Sequence, residues 1–112
     1  MTLGEKQQLF TLLLGKLIGH AYAQGYALTV GDAYRDPKQA AANAAQGVGI
    51  ANSLHCIRLA IDLNLFEGGQ YMTDTEAYRP LGEYWESLHP LCRWGGRFKD
   101  GNHFSIEHDG RK

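Results

Sequence analysis

At 112 residues and 12.4 kDa the chain holds one folding unit, which buries roughly two-thirds of its unfolded surface, and has no room for a second. Apolar residues make up 44% and charged residues 21%, a globular composition that excludes disorder. The net charge of −1 removes any electrostatic case for binding nucleic acid or another polyanion.

Thr2-Leu3-Gly4-Glu5 has the capping-box pattern, a hydroxyl followed three residues later by a carboxylate. Leu9, Leu12, Leu13 and Leu17, with Tyr22 on a neighbouring line, then recur at helical spacing, and Gly25 is the expected stop. His20, near the end of this helix, is expected to face solvent or complete a local hydrogen bond. The apolar run from Leu9 to Ile18 is interrupted by Gly15 and Lys16, lacks a basic leader and is too short to span a bilayer. Neither a signal peptide nor membrane insertion is expected, so the chain is expected to start in the cytoplasm.

From Tyr26 to Arg35 the pattern alternates as in a strand, with Tyr26, Leu28 and Val30 on one face and a bulge or break at Gly31-Asp32. Asp36-Pro37-Lys38-Gln39 is a helix start with Asp as N-cap and Pro at the first helical position. The alanine run to Gln46 continues that helix, Ala40 to Ala45 suggesting close helix packing, and residues 47–52 read as a flexible loop delivering Ser53 and His55. A strand from near Leu59 to Phe66 would bury Leu59, Ile61 and Leu63 and turn Asp62 to the other face. Glu67-Gly68-Gly69-Gln70 is a turn, with Tyr71 and Met72 returning as a short paired strand. Thr73-Asp74-Thr75-Glu76 offers a second capping box before a helix that is interrupted or restarted at Pro80 and closed by Pro90. Leu91 to Trp94 suits a short strand, Gly95-Gly96 a tight turn, and His103 to His108 a further strand; the last four residues read as a loose tail. Three helical patterns among strands argue for an α+β fold, a short antiparallel sheet flanked by about three helices. Cys56 and Cys92 are too few for a disulfide framework and are expected to be buried thiols, with a single bridge as the alternative.

The chemistry concentrates in His55, Asp62, Asp100 and His103. Catalytic zinc usually takes three protein ligands and keeps one position open for water. His55, Asp62 and His103 could supply the three, placing zinc at the sheet face, and Asp100 could work on the water. Seven residues of extended strand would cover about 23 Å, far more than two side chains on one metal can bridge. If His55 and Asp62 share a metal, the chain must turn between them. His108 is the alternative to His103 but has no acid three residues before it, and His89 reads as a surface residue.

Ser53-x-His55 with Ala60-x-Asp62, then Trp94-Gly95-Gly96 followed by Phe98-x-Asp100-x-x-His103-Phe104, resembles the zinc peptidases of the VanY/endolysin type. These are the D-alanyl-D-alanine carboxypeptidases and the phage L-alanyl-D-glutamate endopeptidases; Tyr34-Arg35 before the Pro-Gln helix start is similar to the same family. The usual pattern, S-x-H-x-x-G-x-A-x-D, has Gly where this chain has Arg58. The resemblance implies that His55, Asp62 and His103 bind zinc and that Asp100 is general base and acid. It further implies that Arg35 polarises the scissile carbonyl and that Ser53 is a supporting or substrate-bonding group. Read without it, Arg35 is an ion-pair partner of Asp32 or Asp36. Trp94 is either core or a substrate-contacting groove wall.

The W-G-G and D-x-x-H-F context looks closer to the phage endopeptidases. That implies cleavage of the L-Ala–D-Glu bond in peptidoglycan stem peptides by a monomeric lysis enzyme, which would reach the wall through a holin-made hole. The alternatives are a D,D-carboxypeptidase removing terminal D-Ala, a non-catalytic zinc module that binds the wall or a partner, and a metal-free structural domain.

Overall fold

The computed structural model describes residues 1–47 and 53–112. Most of the loop expected over 47–52 lies outside the described residues. Helix α1, Leu3–Ala23, begins with the expected capping box, Thr2 Oγ1 accepting from the Glu5 amide at 3.1 Å while Glu5 Oε1 accepts from the Thr2 amide at 2.7 Å. Its buried line is Phe10, Leu13, Leu17 and Ala21. Leu12, expected inside, is 60% exposed, because the stripe runs through Phe10 and carries Leu12 to the opposite side. His20 does more than face solvent: it stacks on Tyr84 with 3.7 Å between ring centroids.

Strand β1, Ala27–Val30, is shorter than the alternation suggested, and its Val30 is 63% exposed. Beyond Val30 the chain keeps contact with the sheet by a narrower route. Gly31 N donates to Asp62 O and Asp32 O accepts from Asp62 N, each at 2.8 Å. A Cβ on Gly31 would sit 3.2 Å from Asp62 Cβ, so a glycine suits this close approach. Helix α2, Pro37–Ala45, has Asp36 as N-cap, bonding the Lys38 amide at 2.7 Å. Its alanines do not mark tight packing: only Ala40 is buried, and the run is there because alanine is the best helix former.

Strand β2, Ala60–Glu67, is the axis of the sheet. β1 covers one edge; the other is shared by β5, His103–Ile106, at its start and by β3, Gln70–Met72, at its end. β4, Cys92–Trp94, pairs with the free side of β5, giving the order β1-β2-β5-β4, with every pairing antiparallel. Leu59, Ile61, Leu63 and Leu65 are buried as the alternation required. The side of the sheet bearing Phe104 packs on α1 and on helix α3, Arg79–Leu88, where Trp85 meets Phe10 and Phe104 edge-on at 5.7 and 6.1 Å. This is the α+β layering expected of the sequence, and among the described residues three α-helices accompany the sheet.

The second capping box is not formed. Residues Thr75–Tyr78 make a 3₁₀ turn with no side-chain cap, and α3 starts only at Arg79 with Pro80 in its first turn. Glu76 instead forks onto Arg79, at 2.7 and 2.9 Å. Nor is the end of the chain loose: His108 and Arg111 exchange two backbone hydrogen bonds, at 3.1 and 2.9 Å, around Asp109 and Gly110 at positive φ. Cys56 and Cys92 are free thiols; Cys56 is only half-buried, not buried as expected, and burial pushes the Cys92 thiol up to about 12.

Candidate metal centre and catalytic cleft

The stretch from Ser53 to Asp62 solves the reach problem by turning twice. Ser53 Oγ accepts from the His55 amide at 3.1 Å and starts a 3₁₀ turn, Leu54–Ile57. Arg58 ends that turn at φ 58°, ψ 37°. This is the left-handed conformation that Gly adopts freely and that other residues adopt at a cost, so the position where the resembling family carries Gly keeps the backbone that Gly would suit. The Arg58 guanidinium lies 4.1 Å from the centroid of the Tyr34 ring, a cation–π contact that offsets part of the cost. From there Leu59 leads directly into β2.

Asp62 and His103 are cross-strand partners on β2 and β5, so their side chains leave the sheet together. The turn lowers His55 onto the same point. His55 Nε2 lies 3.3 Å and His103 Nδ1 3.4 Å from Asp62 Oδ1, and the candidate ligand atoms of the three residues all lie within 4.8 Å of one another.

His55 Nδ1 is 3.0 Å from the carbonyl of Ala33. A carbonyl can only accept, so Nδ1 carries a proton and the neutral ring presents a lone pair at Nε2. That lone pair faces a carboxylate oxygen, two acceptors at 3.3 Å with nothing to donate between them. Asp62 Oδ1 is also buried without a hydrogen-bond partner among the described residues. A cation resolves the conflict, and His-Asp-His with an open side is a zinc donor set. In its absence a proton serves instead. Burial pushes the His55 imidazole down, but Asp62 outweighs it and leaves it above the usual range. Burial likewise pushes the Asp62 carboxyl up, while His103 and His55 overcome it and hold it at about 2.

His55, Asp62 and His103 line a cleft of about 430 Å³ together with Arg35, Ser53 and Asp100. Partial burial holds the Asp100 carboxyl above the ordinary carboxylate range, opposed by nearby His103 and helped by the charge of Asp62. Asp100 is set by a hairpin of backbone bonds: its amide donates to Gly95 O at 2.9 Å and its carbonyl accepts from the His103 amide at 3.1 Å. The segment from Ala33 to Arg35 is clamped alongside the 3₁₀ turn, Arg35 N donating to His55 O at 3.2 Å. Arg35 therefore reaches the cleft while also pairing with Asp32 at 2.8 Å, so the two readings of this residue coexist.

Trp94 does not line the cleft. It is fully buried, and its indole N–H donates to Gly101 O at 2.8 Å, bracing the loop that carries Asp100. The glycines beside it are needed for space, not for a tight turn. A Cβ on Gly96 would lie 2.1 Å from the indole, and one on Gly95 would lie 2.1 Å from Asp100 O. Gly82 on α3 has the same relation to Trp94, at 2.0 Å. A large flat side chain packed between two glycines needs backbone within contact distance. Gly101, too, is there for close approach: its Cβ would meet Thr75 Cα at 2.8 Å, and the left-handed residue of this loop is Lys99, at φ 65°.

His108 stands away from the cluster, contacting Lys6 at 3.0 Å and Asp109 at 3.2 Å, and β5 ends before it. His89 takes the Leu91 amide at 3.1 Å. Two features of the cleft were given no role by the sequence, although Phe98 stood in the quoted motif. The Ala33 carbonyl that orients His55 has no side-chain signal at all. Phe98, 45% exposed with its ring 5.7 Å from that of His103, forms a cleft wall, and an aromatic residue one turn after Gly95-Gly96 was the available hint.

No curated protein matches the chain. The family of D-alanyl-D-alanine carboxypeptidases matches residues 45–106, more than half of the chain, spanning the three candidate ligands and Asp100. No helix among the described residues is long and apolar enough to cross a membrane. The chain belongs to the D-alanyl-D-alanine carboxypeptidase family, which makes it a zinc metallopeptidase of the peptidoglycan-hydrolase type, and its His55, Asp62 and His103 form a group that could hold the metal.

Proposed function

We propose that the protein is an endopeptidase that cuts the L-Ala–D-Glu bond of peptidoglycan stem peptides, working as a monomeric lysis enzyme of phage or prophage origin. The observation that carries the peptidase chemistry in this reading is a carboxylate, Asp100, in the same cleft as the His-Asp-His cluster but outside it. His55, Asp62 and His103 would hold zinc, which would supply Lewis-acid chemistry to a carbonyl and to water. Asp100 takes a proton from the attacking water as the new C–O bond forms. It passes that proton to the departing amine nitrogen as the C–N bond breaks. A carboxyl held above the ordinary range suits both halves of the exchange. Arg35, fixed by Asp32, offers N–H donors to the carbonyl oxygen as charge builds there. The Ala33 carbonyl keeps the His55 ring in its tautomer.

An internal bond is favoured over a terminal one by the shape around the cleft. Arg35 also borders a hollow formed with Asp36, Lys38 and Asn43, and Asp100 also borders a second hollow, with Thr73, Thr75 and Lys99. A substrate can thus extend beyond the cleft into either hollow. The wall is reached from the cytoplasm through a membrane lesion made by another protein. Digested peptidoglycan, read by mass spectrometry, tests the assignment: a new D-Glu amino terminus is expected. Release of free D-Ala would assign the D,D-carboxypeptidase activity instead, and no turnover by zinc-loaded protein would leave a wall-binding module.

A further inference from the structure

Asp100 is a shared wall. On one side is the cleft of the metal ligands; on the other is a hollow of about 200 Å³ lined by Tyr71, Thr73, Thr75, Lys99 and Asn102. Its lining is hydroxyl, amide and ammonium. Arg35, Arg79, Arg93 and Arg97 each pair with a carboxylate, whereas Lys99 has no ion pair or hydrogen bond from its side chain among the described residues. Its backbone is fixed, at φ 65°, ψ 32°, by a hydrogen bond from its amide to Gly95 O. That conformation favours Gly or Asn, so a lysine here is not chosen for the turn.

We propose that this hollow is the subsite for the residue whose nitrogen departs, and that Lys99 reads a carboxylate on that residue. The inference rests on the endopeptidase reading above. A proton passed from Asp100 must reach the departing nitrogen, so the residue bearing it lies beside Asp100, which also lines the hollow. A D-glutamyl residue linked onward through one carboxyl keeps the other as a free carboxylate. Lys99 supplies the opposite charge, and Thr73 and Thr75 supply hydroxyl donors to the same anion. Lys99 is therefore a specificity determinant that separates an acidic from an amidated leaving residue.

The test uses zinc-loaded full-length protein and two peptides that begin with D-Glu, one with its free carboxylate and one with that group as a primary amide. Dissociation constants come from NMR titration and scission rates from the matching uncut stem peptides. Wild type is expected to favour the acid by about tenfold in both, the worth of one charge-assisted hydrogen bond. Lys99→Met and Lys99→Asn, the latter well suited to the left-handed backbone, should erase the preference, and Lys99→Arg should keep most of it. Equal binding of acid and amide by wild type, or a preference that survives in Lys99→Met, overturns the subsite while scission of the L-Ala–D-Glu bond stands. Release of D-Ala with no scission at that bond overturns both readings.

Discussion

Replacing Arg58 probes the turn on which the metal centre depends. A non-glycine residue held in the left-handed region costs about 1–2 kcal/mol. The stack of the guanidinium on Tyr34, at 4.1 Å, returns about 0.5–1 kcal/mol at an exposed site. Arg58→Ala keeps the backbone cost and loses the stack, so it should destabilise the metal-free protein by about 0.5–1 kcal/mol. Arg58→Gly relieves the backbone cost and loses the stack, and it loosens the unfolded chain by about 0.4–1 kcal/mol. It should therefore lie within about 1 kcal/mol of the parent and be at least as stable as the alanine variant. Arg58→Val puts a β-branched residue where φ is 58°, which such residues resist most. It should be the least stable of the three and should move His55 away from Asp62. Urea denaturation ranks the stabilities, and competition with a chromophoric chelator ranks zinc affinity; glycine and alanine should keep the parental affinity and valine should lose it. An alanine variant clearly more stable than the glycine variant would refute the claim that backbone conformation controls this turn.

Asp100→Ala should bind zinc as the parent does and lose on the order of 10²–10⁴ in rate, whereas His103→Ala should lose zinc and activity together; elemental analysis beside the peptidoglycan digest decides, and zinc loss in Asp100→Ala would make that residue a ligand. The pH dependence of stability should reverse with zinc. In metal-free protein the His55 pKa is raised, so its contribution is present at low pH and lost as pH rises through the folded value, while that of Asp62 is lost as pH falls toward about 2. Zinc must displace the His55 proton, so zinc-saturated protein should instead gain stability as pH rises over the same His55 range, and thermal melts with and without zinc that share one pH trend would contradict this. Gly96→Ala drives a methyl to 2.1 Å from the Trp94 indole and should cost about 1–3 kcal/mol or more by denaturant unfolding. Gly95→Ala meets the Asp100 carbonyl, so its surviving folded fraction should also turn over more slowly per bound zinc. Cys92, buried and with its thiol pushed up to about 12, should resist alkylation until the protein unfolds, and its contribution to stability should fade as pH rises from 9.0 toward that value.

Much of this was legible in local pattern. The Thr2-Glu5 box, Asp36-Pro37, and the alternation of Leu59, Ile61 and Leu63 are each set by residues within a few positions of one another, and each folds as read. The misreadings fall where a distant partner decides. Leu12 and Val30 face solvent because nothing from another element covers them, although their own periodicity allowed burial. Glu76 abandons its capping role for Arg79. Trp94 and Gly95-Gly96 were visible as a motif, but their purpose, close packing behind the Asp100 loop, depends on α3 coming within contact distance at Gly82.

The sequence by itself determined the candidate donor set, since the residue types and their combined spacings around Asp62 and His103 suit zinc. It also determined that the chain had to turn between His55 and Asp62, because an extended strand cannot bring them to one point. Only the tertiary structure decided how that turn is made, with Arg58 left-handed and braced on Tyr34, and which tautomer His55 holds, through a carbonyl 22 positions away. The physical reason is range. Propensity and periodicity act over a few residues, whereas the register of β2 with β5 and the approach of the Ala33 segment are set by packing between parts of the chain that no local pattern connects.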